Sequence, residues 1–349
     1  MKKIFIVITL FSFLSCKKEE VQEPDIYANI KFEQPANFPK PIYDVSSNPP
    51  TPAGFKLGKA LFYDGLLSAD GSVSCGTCHQ QEFAFTHHEH DVSHGINDQL
   101  GIRNAPSLQN MAWQKEFNWD GTFPHLETFS LSPIQNPVEM GESIENVLLK
   151  IKNNENYKKM FTEAFGSEEI TQDKMMKAIT QFLVMMVSAD SRYDRYKAGK
   201  ESFTEAETRG LALFEQKCSA CHSGVLFTDA SYRDNGLAPT ARQDIGREFA
   251  TNNAADKYKF KVPSLRNIAF TRPYMHDGRF TSLEQVLSHY QNGVRNNPNL
   301  DNLLKKADGT FGIALTEQEK IDIIAFLQTL TDQNLLKNEI FSEFNNTIN

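Results

Sequence analysis

The sequence predicts a mainly α-helical protein built from two halves that repeat one another. A pentapeptide of the form Cys-x-x-Cys-His occurs at 75–79 and again at 218–222. The stretch A-P-S-L-Q-N-M-A-W from Ala105 matches V-P-S-L-R-N-I-A-F from Val262, and the match continues without a gap through later Asp-Gly and Leu-Glu pairs. Apolar residues recur at helical spacing, and strand signals are few.

Four helices predicted along the chain support this fold class. A short amphipathic helix at 56–63 leads to the first pentapeptide, and residues 171–187 place apolar side chains at helical spacing. A capping-box pattern that begins at Thr204, with Glu207 three residues later, predicts a helix leading to the second pentapeptide. The same pattern begins again at Thr316.

The two pentapeptides predict covalently attached haem. At this spacing two cysteine thiols add to the vinyl groups of one haem, and the adjoining histidine ligates its iron. The residues expected to hold the two c-type haems are Cys75, Cys78 and His79 for the first, and Cys218, Cys221 and His222 for the second. A zinc site of four cysteines is the alternative, and it leaves both histidines unexplained.

The beginning of the chain predicts export. Met1–Lys3 is basic, and the apolar run that follows is too short to span a bilayer, so residues 1–15 are typical of a signal peptide. Cys16 directly after this run resembles the acylated cysteine of bacterial lipoproteins, and an ordinary signal peptide followed by a stray thiol is the alternative. We therefore expect a lipid-anchored protein on the periplasmic side of the cell envelope.

Composition predicts the remaining organisation. Residues 16–50 are charged and proline-rich without a sustained period, which predicts a lipid-attached tether. The predicted haem domains are 51–195 and 196–335, followed by a tail at 336–349. A net charge of −8 without a basic cluster argues against a nucleic-acid partner.

Together with the pentapeptides and the repeat, the run F-N-W-D-G-T-F…P-I-Q-N-P-V-E-M within 117–140 resembles the bacterial di-haem cytochrome c peroxidase family, which includes MauG. The resemblance covers residues 51–335. It implies two cytochrome-c-like domains with their haems within electron-transfer reach. It also implies that peroxide reacts at the N-terminal haem and that the C-terminal haem passes on electrons.

The resemblance implies roles for three residues near the first haem. Trp119 matches the tryptophan between the haems, although it is also consistent with an ordinary buried aromatic residue. Glu139 matches the distal acid–base group, with a surface glutamate as the alternative. His94 matches the histidine that caps the oxidised peroxidatic iron. Its competitors in the same loop are His87, His88 and His90.

Further residues match sites near the second haem. The resemblance implies a calcium site at Asn104, Thr271 and Pro273, built from an amide oxygen and main-chain carbonyls. It also implies that His276 contacts a haem propionate.

Two positions depart from the usual family pattern. Phe129 replaces a glutamine or glutamate, which predicts a drier distal pocket. Tyr290 stands where typical peroxidases have a methionine ligand, and MauG-like members carry tyrosine there; a phenolate favours oxidised iron. By spacing alone, Met275 competes with Tyr290 for the second iron, and Met140 is the corresponding candidate at the first.

These features predict a peroxidase that reduces hydrogen peroxide to water. Electrons would come from a small donor protein, such as a cytochrome c or a cupredoxin, or from a quinol-linked donor, and pass from the C-terminal to the N-terminal haem. One alternative is MauG-like, peroxide-driven oxidation of a protein or organic substrate, which Tyr290 favours. The other is a non-catalytic electron carrier, which has no use for Glu139.

Overall fold

Helices carry most of the regular structure in residues 25–343, the part of the chain that this computed structural model describes. In order, the helices are α1 (Pro52–Tyr63), α2 (Cys75–Cys78), α3 (Leu126–Phe129), α4 (Leu131–Gln135), α5 (Ile144–Lys152), α6 (Glu155–Phe165) and α7 (Gln172–Val184). They continue as α8 (Arg192–Lys197), α9 (Glu205–Lys217), α10 (Glu248–Thr251), α11 (Leu283–Ser288), α12 (Glu317–Gln328) and α13 (Gln333–Lys337). The strands in this range are one antiparallel pair, β1 (Tyr232–Arg233) and β2 (Phe260–Lys261). The predicted mainly α-helical class is confirmed.

The two predicted capping boxes are present. The Thr204 hydroxyl accepts a hydrogen bond from the Glu207 main-chain N at 3.3 Å, and the Glu207 carboxylate accepts one from the Thr204 main-chain N at 2.7 Å. Thr316 and Glu319 make the same reciprocal pair at 3.2 and 2.8 Å. Each box satisfies main-chain donors that a helix start would otherwise leave unpaired, which fixes where α9 and α12 begin.

The helices predicted at 56–63 and 171–187 are confirmed as α1 and α7, which pack against each other. Helix α1 starts earlier than predicted because the Thr51 side chain caps its first turn. The two helices approach closely at Gly58, where a Cβ atom would lie 1.9 Å from the main-chain O of Ala178. Any larger residue would force the helices apart.

The same helix crossing recurs between α9 and α12. A Cβ atom on Gly210 would lie 1.9 Å from the main-chain O of Asp322 and 2.9 Å from the Cβ of Phe326. The corresponding neighbour of the α1 glycine is Phe182 of α7, at 3.0 Å. These glycines begin G-L-A-L-F in α9 and G-K-A-L-F in α1, a similarity that the sequence comparison missed. The shared packing supports the prediction of an internal repeat.

Two large clusters of buried apolar side chains form the cores of the described residues, and a small third cluster contains Val294, Leu300 and Leu304. The larger one surrounds α1 and α7 and includes Phe55 and Phe182. The second surrounds α9 and α12 and includes Phe214 and Phe326. The exact domain bounds, 51–195 and 196–335, stay predictions.

The predicted tether at 16–50 is wrong for residues 25–50. Tyr27 and Phe38 are buried in the larger core, and the Trp113 indole N–H donates to the Pro39 main-chain O at 2.8 Å. A few well-placed aromatic rings bury enough apolar area to fix a proline-rich segment that has no helical or strand period. The predicted signal peptide (1–15), Cys16 and the start of the tether lie outside the described residues.

The predicted tail at 336–349 is wrong as far as residue 343. Phe341 is buried in the larger core, and the Tyr63 hydroxyl donates to its main-chain O at 2.7 Å. The Gln81 side-chain amide donates to the main-chain O of Leu335 and Asn338 at 3.0 and 2.9 Å. The chain therefore returns from the second half to the first, beside the first pentapeptide. Among the helices of residues 25–343, none is long and apolar enough to cross a membrane.

Candidate haem sites

The histidines of the two pentapeptides are held in the same way. His79 Nδ1 lies 2.7 Å from the Phe85 main-chain O, and His222 Nδ1 lies 3.2 Å from that of Phe227. With the proton on Nδ1, each ring donates to a carbonyl and leaves Nε2 available for a metal. Burial lowers the pKa of His79 to about 4 and also lowers the pKa of His222, which favours the neutral, ligating form.

The cysteines of both pentapeptides are not paired in disulfides. Burial raises the pKa of Cys75 to about 12, so it is a neutral thiol. The side chains of residues 25–343 do not bring three His, Cys, Asp or Glu residues together in an arrangement that could hold a metal ion. The structure therefore gives no support to the zinc alternative.

A cavity of about 420 Å³ lies at the second pentapeptide. Its wall includes the His222 ring, the aliphatic side chains of Leu287 and Leu327, and the Trp119 indole from the first half. A largely apolar cavity with few polar groups, beside a neutral histidine and two thiols, fits a covalently attached porphyrin. The residues that would attach a haem here are Cys218, Cys221 and His222.

Both candidate ligands of the second iron line this cavity. Tyr290 lies on a π-helical turn, His289–Gly293, and burial raises its pKa to about 12. Met275 reaches the same cavity, and its Sδ atom is 3.5 Å from the Asn235 side-chain N. The sequence prediction did not include Asn235, because no motif marks it. The choice between Tyr290 and Met275 stays open at this point.

Glu139 lies close to the first pentapeptide, within a tightly packed loop. The Ser93 hydroxyl donates to its carboxylate at 3.3 Å, and the Ile96 main-chain N donates to its main-chain O at 2.8 Å. A Cβ atom on Gly95 would lie 2.2 Å from the Val138 main-chain O, so this approach requires glycine. Burial raises the pKa of the Glu139 carboxyl. Burial also raises the pKa of the Cys75 and Cys78 thiols, and a negative charge on Glu139 adds to this effect. The position is suited to a group that exchanges protons.

Three of the four loop histidines form a packed cluster. The His87 and His90 rings are stacked with centroids 4.1 Å apart, and the His90 and His94 centroids are 4.4 Å apart. The His94 main-chain O lies 3.7 Å from the Cys78 Sγ atom, so the cluster is beside the first pentapeptide. His88 stacks on Phe83 instead. Which ring reaches the iron stays a prediction.

Trp119 and Asn104 connect the two halves. The Trp119 indole N–H donates to the Asn104 main-chain O at 2.8 Å, and the Asn104 main-chain N donates to the His276 main-chain O at 2.7 Å. Asn104 lines the cavity together with Thr271 and Pro273. These three predicted calcium ligands thus line the same cavity, and calcium itself stays a prediction.

His276 and Phe129 are also fixed by aromatic packing. His276 stacks on Phe260 with centroids 3.6 Å apart, and burial lowers its pKa to about 4. Phe129 packs against Phe117 at 5.4 Å. Both side chains line the cavity. The predicted propionate contact of His276 and the predicted drier pocket stay untested.

Charged residues that sequence reasoning missed link the two halves of the chain. Arg103 binds Asp120 and Asp244 at 2.6 Å each, which ties the first half to the long loop of the second. Lys261 donates to the Gln114 side chain at 2.8 Å, and burial lowers its pKa to about 8. Lys261 precedes Pro263 by two residues, just as Asn104 precedes Pro106 in the first half. Lys261 is therefore the repeat counterpart of Asn104, and alignment of the two halves could have identified it.

Comparison with known proteins gives a consistent set of relatives. The family model described as di-haem cytochrome c peroxidase matches residues 52–202. The methylamine utilization protein MauG of Methylorubrum extorquens is 38% identical over 336 residues, which cover 93% of this chain and 90% of that protein. The cytochrome c551 peroxidase of Nitrosomonas europaea is 34% identical over 314 residues, covering 88% and 89%. The crystal structure of a MauG-like protein associated with microbial copper homeostasis matches with a TM-score of 0.79 and 36% identity, covering 89% of this chain and 98% of that one.

Proposed function

Because the chain belongs to the di-haem cytochrome c peroxidase family, we propose that it reduces hydrogen peroxide to water with electrons from an external donor. The balanced reaction takes one peroxide, two electrons and two protons to two waters. Two c-type haems, when bound, supply the redox chemistry. We propose Cys75 and Cys78 as the attachment residues of the first haem and His79 as its proximal ligand, with the second pentapeptide holding the other.

The Glu139 carboxyl is the observation that carries this proposal. It is partly buried beside the first pentapeptide, the Ser93 hydroxyl donates to it, and its pKa is raised. A carboxyl group in such a position can take a proton from one peroxide oxygen and return it to the departing oxygen. An electron carrier gains nothing from this arrangement, and burying a carboxyl group without a partner cation is costly.

The proposed electron path runs from the second haem through Trp119 to the first. The indole lines the cavity at the second pentapeptide, and its N–H is bonded to Asn104 of the segment that borders the histidine loop. That hydrogen bond holds the ring in one orientation. The proposed donor is a cytochrome c, a cupredoxin or a quinol-linked protein on the periplasmic side of the envelope, where Cys16 would anchor the chain.

Steady-state turnover with several donors tests the proposal. The haem-loaded protein should consume peroxide in proportion to oxidised donor, with two electrons per peroxide. Replacement of Glu139 by glutamine should slow turnover strongly, whereas Glu145→Gln, at an exposed position on α5, should not. The peroxidase proposal would be contradicted if the protein oxidised none of the donors tested.

MauG-like oxidation of a protein or organic substrate is the second candidate, and Tyr290 favours it. A tyrosine oxygen at the second iron stabilises the oxidised state, which suits storage of oxidising equivalents. The matching experiment adds peroxide to the oxidised protein without donor and searches for oxidised products by mass spectrometry. Detection of one two-electron-oxidised product for each peroxide consumed would favour this candidate over donor oxidation.

A further inference from the structure

A second cavity, of about 340 Å³, lies between the two halves of the chain. The first half contributes the side chains of Phe83 and His88 to its lining, and the second half contributes Phe270, Tyr274 and Leu283 among others. The volume is at the lower end of the roughly 300–1,000 Å³ that small-molecule sites occupy. The described residues thus leave room here for one small ring.

Aromatic side chains give this cavity a preference for a planar ligand. The Phe83 and His88 rings are parallel, with centroids 3.7 Å apart and an angle of 4° between their planes. Both rings line the cavity, as do those of Phe270 and Tyr274. The Tyr274 hydroxyl is already used, because it donates to the Ile268 main-chain O at 2.9 Å. A bound aromatic ring can therefore pack on these surfaces through stacked or edge-to-face contacts.

Two polar side chains of the lining are suited to a ligand hydroxyl. The Arg272 side chain is about half exposed, and its Nη2 atom lies 3.3 Å from the His88 Nε2 atom. The other ring nitrogen, His88 Nδ1, is buried and has no hydrogen-bond partner among the described residues. Leaving a buried nitrogen unpaired is costly. A hydroxyl group would satisfy it in either tautomer, because a hydroxyl both donates and accepts, whereas a carboxylate would satisfy only one.

This cavity shares a wall with the larger cavity at the second pentapeptide. Tyr274 and Leu283 line both of them. A ring bound in the smaller cavity would thus be separated from the proposed second haem site by one layer of side chains. Such a wall is thin enough for an electron to cross.

We propose that the smaller cavity binds a quinol, an aromatic ring with two hydroxyl groups, as an electron donor for the reduction of peroxide. The donor role rests on the proposed function, whereas binding of the ring does not. Oxidation of a quinol to a quinone releases two electrons and two protons, the numbers that one peroxide consumes in forming two waters. Quinol and peroxide thus give quinone and two waters, and the protons released by the quinol leave to solvent past the exposed residues Thr281 and Glu284.

Calorimetric titration of the haem-loaded protein with resorcinol tests binding apart from turnover, because this diol has the same ring as hydroquinone but cannot form a quinone. Resorcinol should bind saturably to the unaltered protein. Ala269→Trp places an indole in the cavity and should abolish binding. Arg272→Leu should weaken binding about tenfold or more, the usual loss for a hydrogen bond to a charged group. Arg295→Leu, at an exposed position that does not line the cavity, is the matched control and should bind resorcinol normally.

Turnover tests the donor role. Peroxide consumption with hydroquinone should be lost in Ala269→Trp, whereas consumption with a cytochrome c should persist in this variant, with two haems by mass and an unaltered absorption spectrum. A long-chain quinol in phosphatidylcholine vesicles, used in place of hydroquinone, distinguishes a membrane source of the donor from a soluble one.

Two results would overturn the binding site: no saturable binding of resorcinol, or binding that Ala269→Trp and Arg272→Leu both leave unchanged. Resorcinol binding without hydroquinone turnover, in a protein that a cytochrome c does sustain, would overturn the donor role. Failure of the proposed function is distinguishable, because it would appear as absent peroxide turnover with every donor while resorcinol still binds.

Discussion

Replacing Glu139 by glutamine isolates the carboxyl group of the first site. The amide oxygen can still accept the Ser93 hydroxyl at the present 3.3 Å, and the main-chain bond from Ile96 to residue 139 is unaffected. The loop should therefore keep its packing. What the variant loses is a group able to hold and release a proton next to the first pentapeptide.

The expected effect is a slower reaction with peroxide by about a hundredfold or more, the usual scale for a positioned proton shuttle. That factor corresponds to about 2.7 kcal/mol of transition-state stabilisation. The pH dependence should change as well. Because burial raises the pKa of Glu139, the unaltered protein should lose rate as the pH falls through a pKa above the ordinary 4.5. The variant should lack this step.

The stability of the folded protein should depend on pH in the direction opposite to that of the rate. A carboxyl group whose pKa is higher in the folded state binds its proton more tightly there, so the folded state loses stability as the pH rises above the unfolded pKa. Glu139→Gln should therefore be at least as stable as the unaltered protein at pH 7. The difference should vanish below the unfolded carboxyl pKa of about 4.3.

Stopped-flow mixing with peroxide from pH 4 to pH 8 measures the rate, and thermal unfolding over the same range measures stability. Glu145→Gln is the control for loss of one negative charge. An unchanged rate in Glu139→Gln, with both haem spectra intact, would refute the assignment and move the proton chemistry to another group, with His94 the next candidate.

Four further outcomes are expected. Replacing both cysteines of the first pentapeptide by alanine should reduce the mass of the denatured protein by that of one haem. Finding only one haem on the unaltered protein would contradict the two-site prediction. Tyr290→Phe should open a coordination position at the second haem while the first keeps its absorption spectrum, and Tyr290→Met should raise the reduction potential of the second; an unaltered spectrum in both would favour another ligand. Cys16→Ala should release haem-loaded protein from the membrane fraction, and unaltered protein found wholly in the soluble fraction would contradict the anchor. Asp194→Asn should destabilise the fold in urea by about 3–5 kcal/mol, because it leaves Arg266 buried without its bidentate partner; the exposed Asp173→Asn should cost far less.

The sequence by itself determined the features that neighbouring residues encode. The Cys-x-x-Cys-His spacing is set by the chemistry of one attached group, so two copies predicted two haems. The capping boxes at Thr204 and Thr316 predicted where two helices begin, because the paired residues of a capping box are only three positions apart in the sequence. The repeat after each pentapeptide led to the family, which the comparisons confirm.

Only the tertiary structure decided the features that depend on residues far apart in the chain. Phe38 and Phe341 come from segments without a period, yet both are buried in the core around α1 and α7. Asn235, Met275 and Tyr290 come from separate segments, yet the fold brings all three to the lining of one cavity. Such contacts depend on surface complementarity and on main-chain groups, neither of which leaves a periodic or motif-like trace in the sequence.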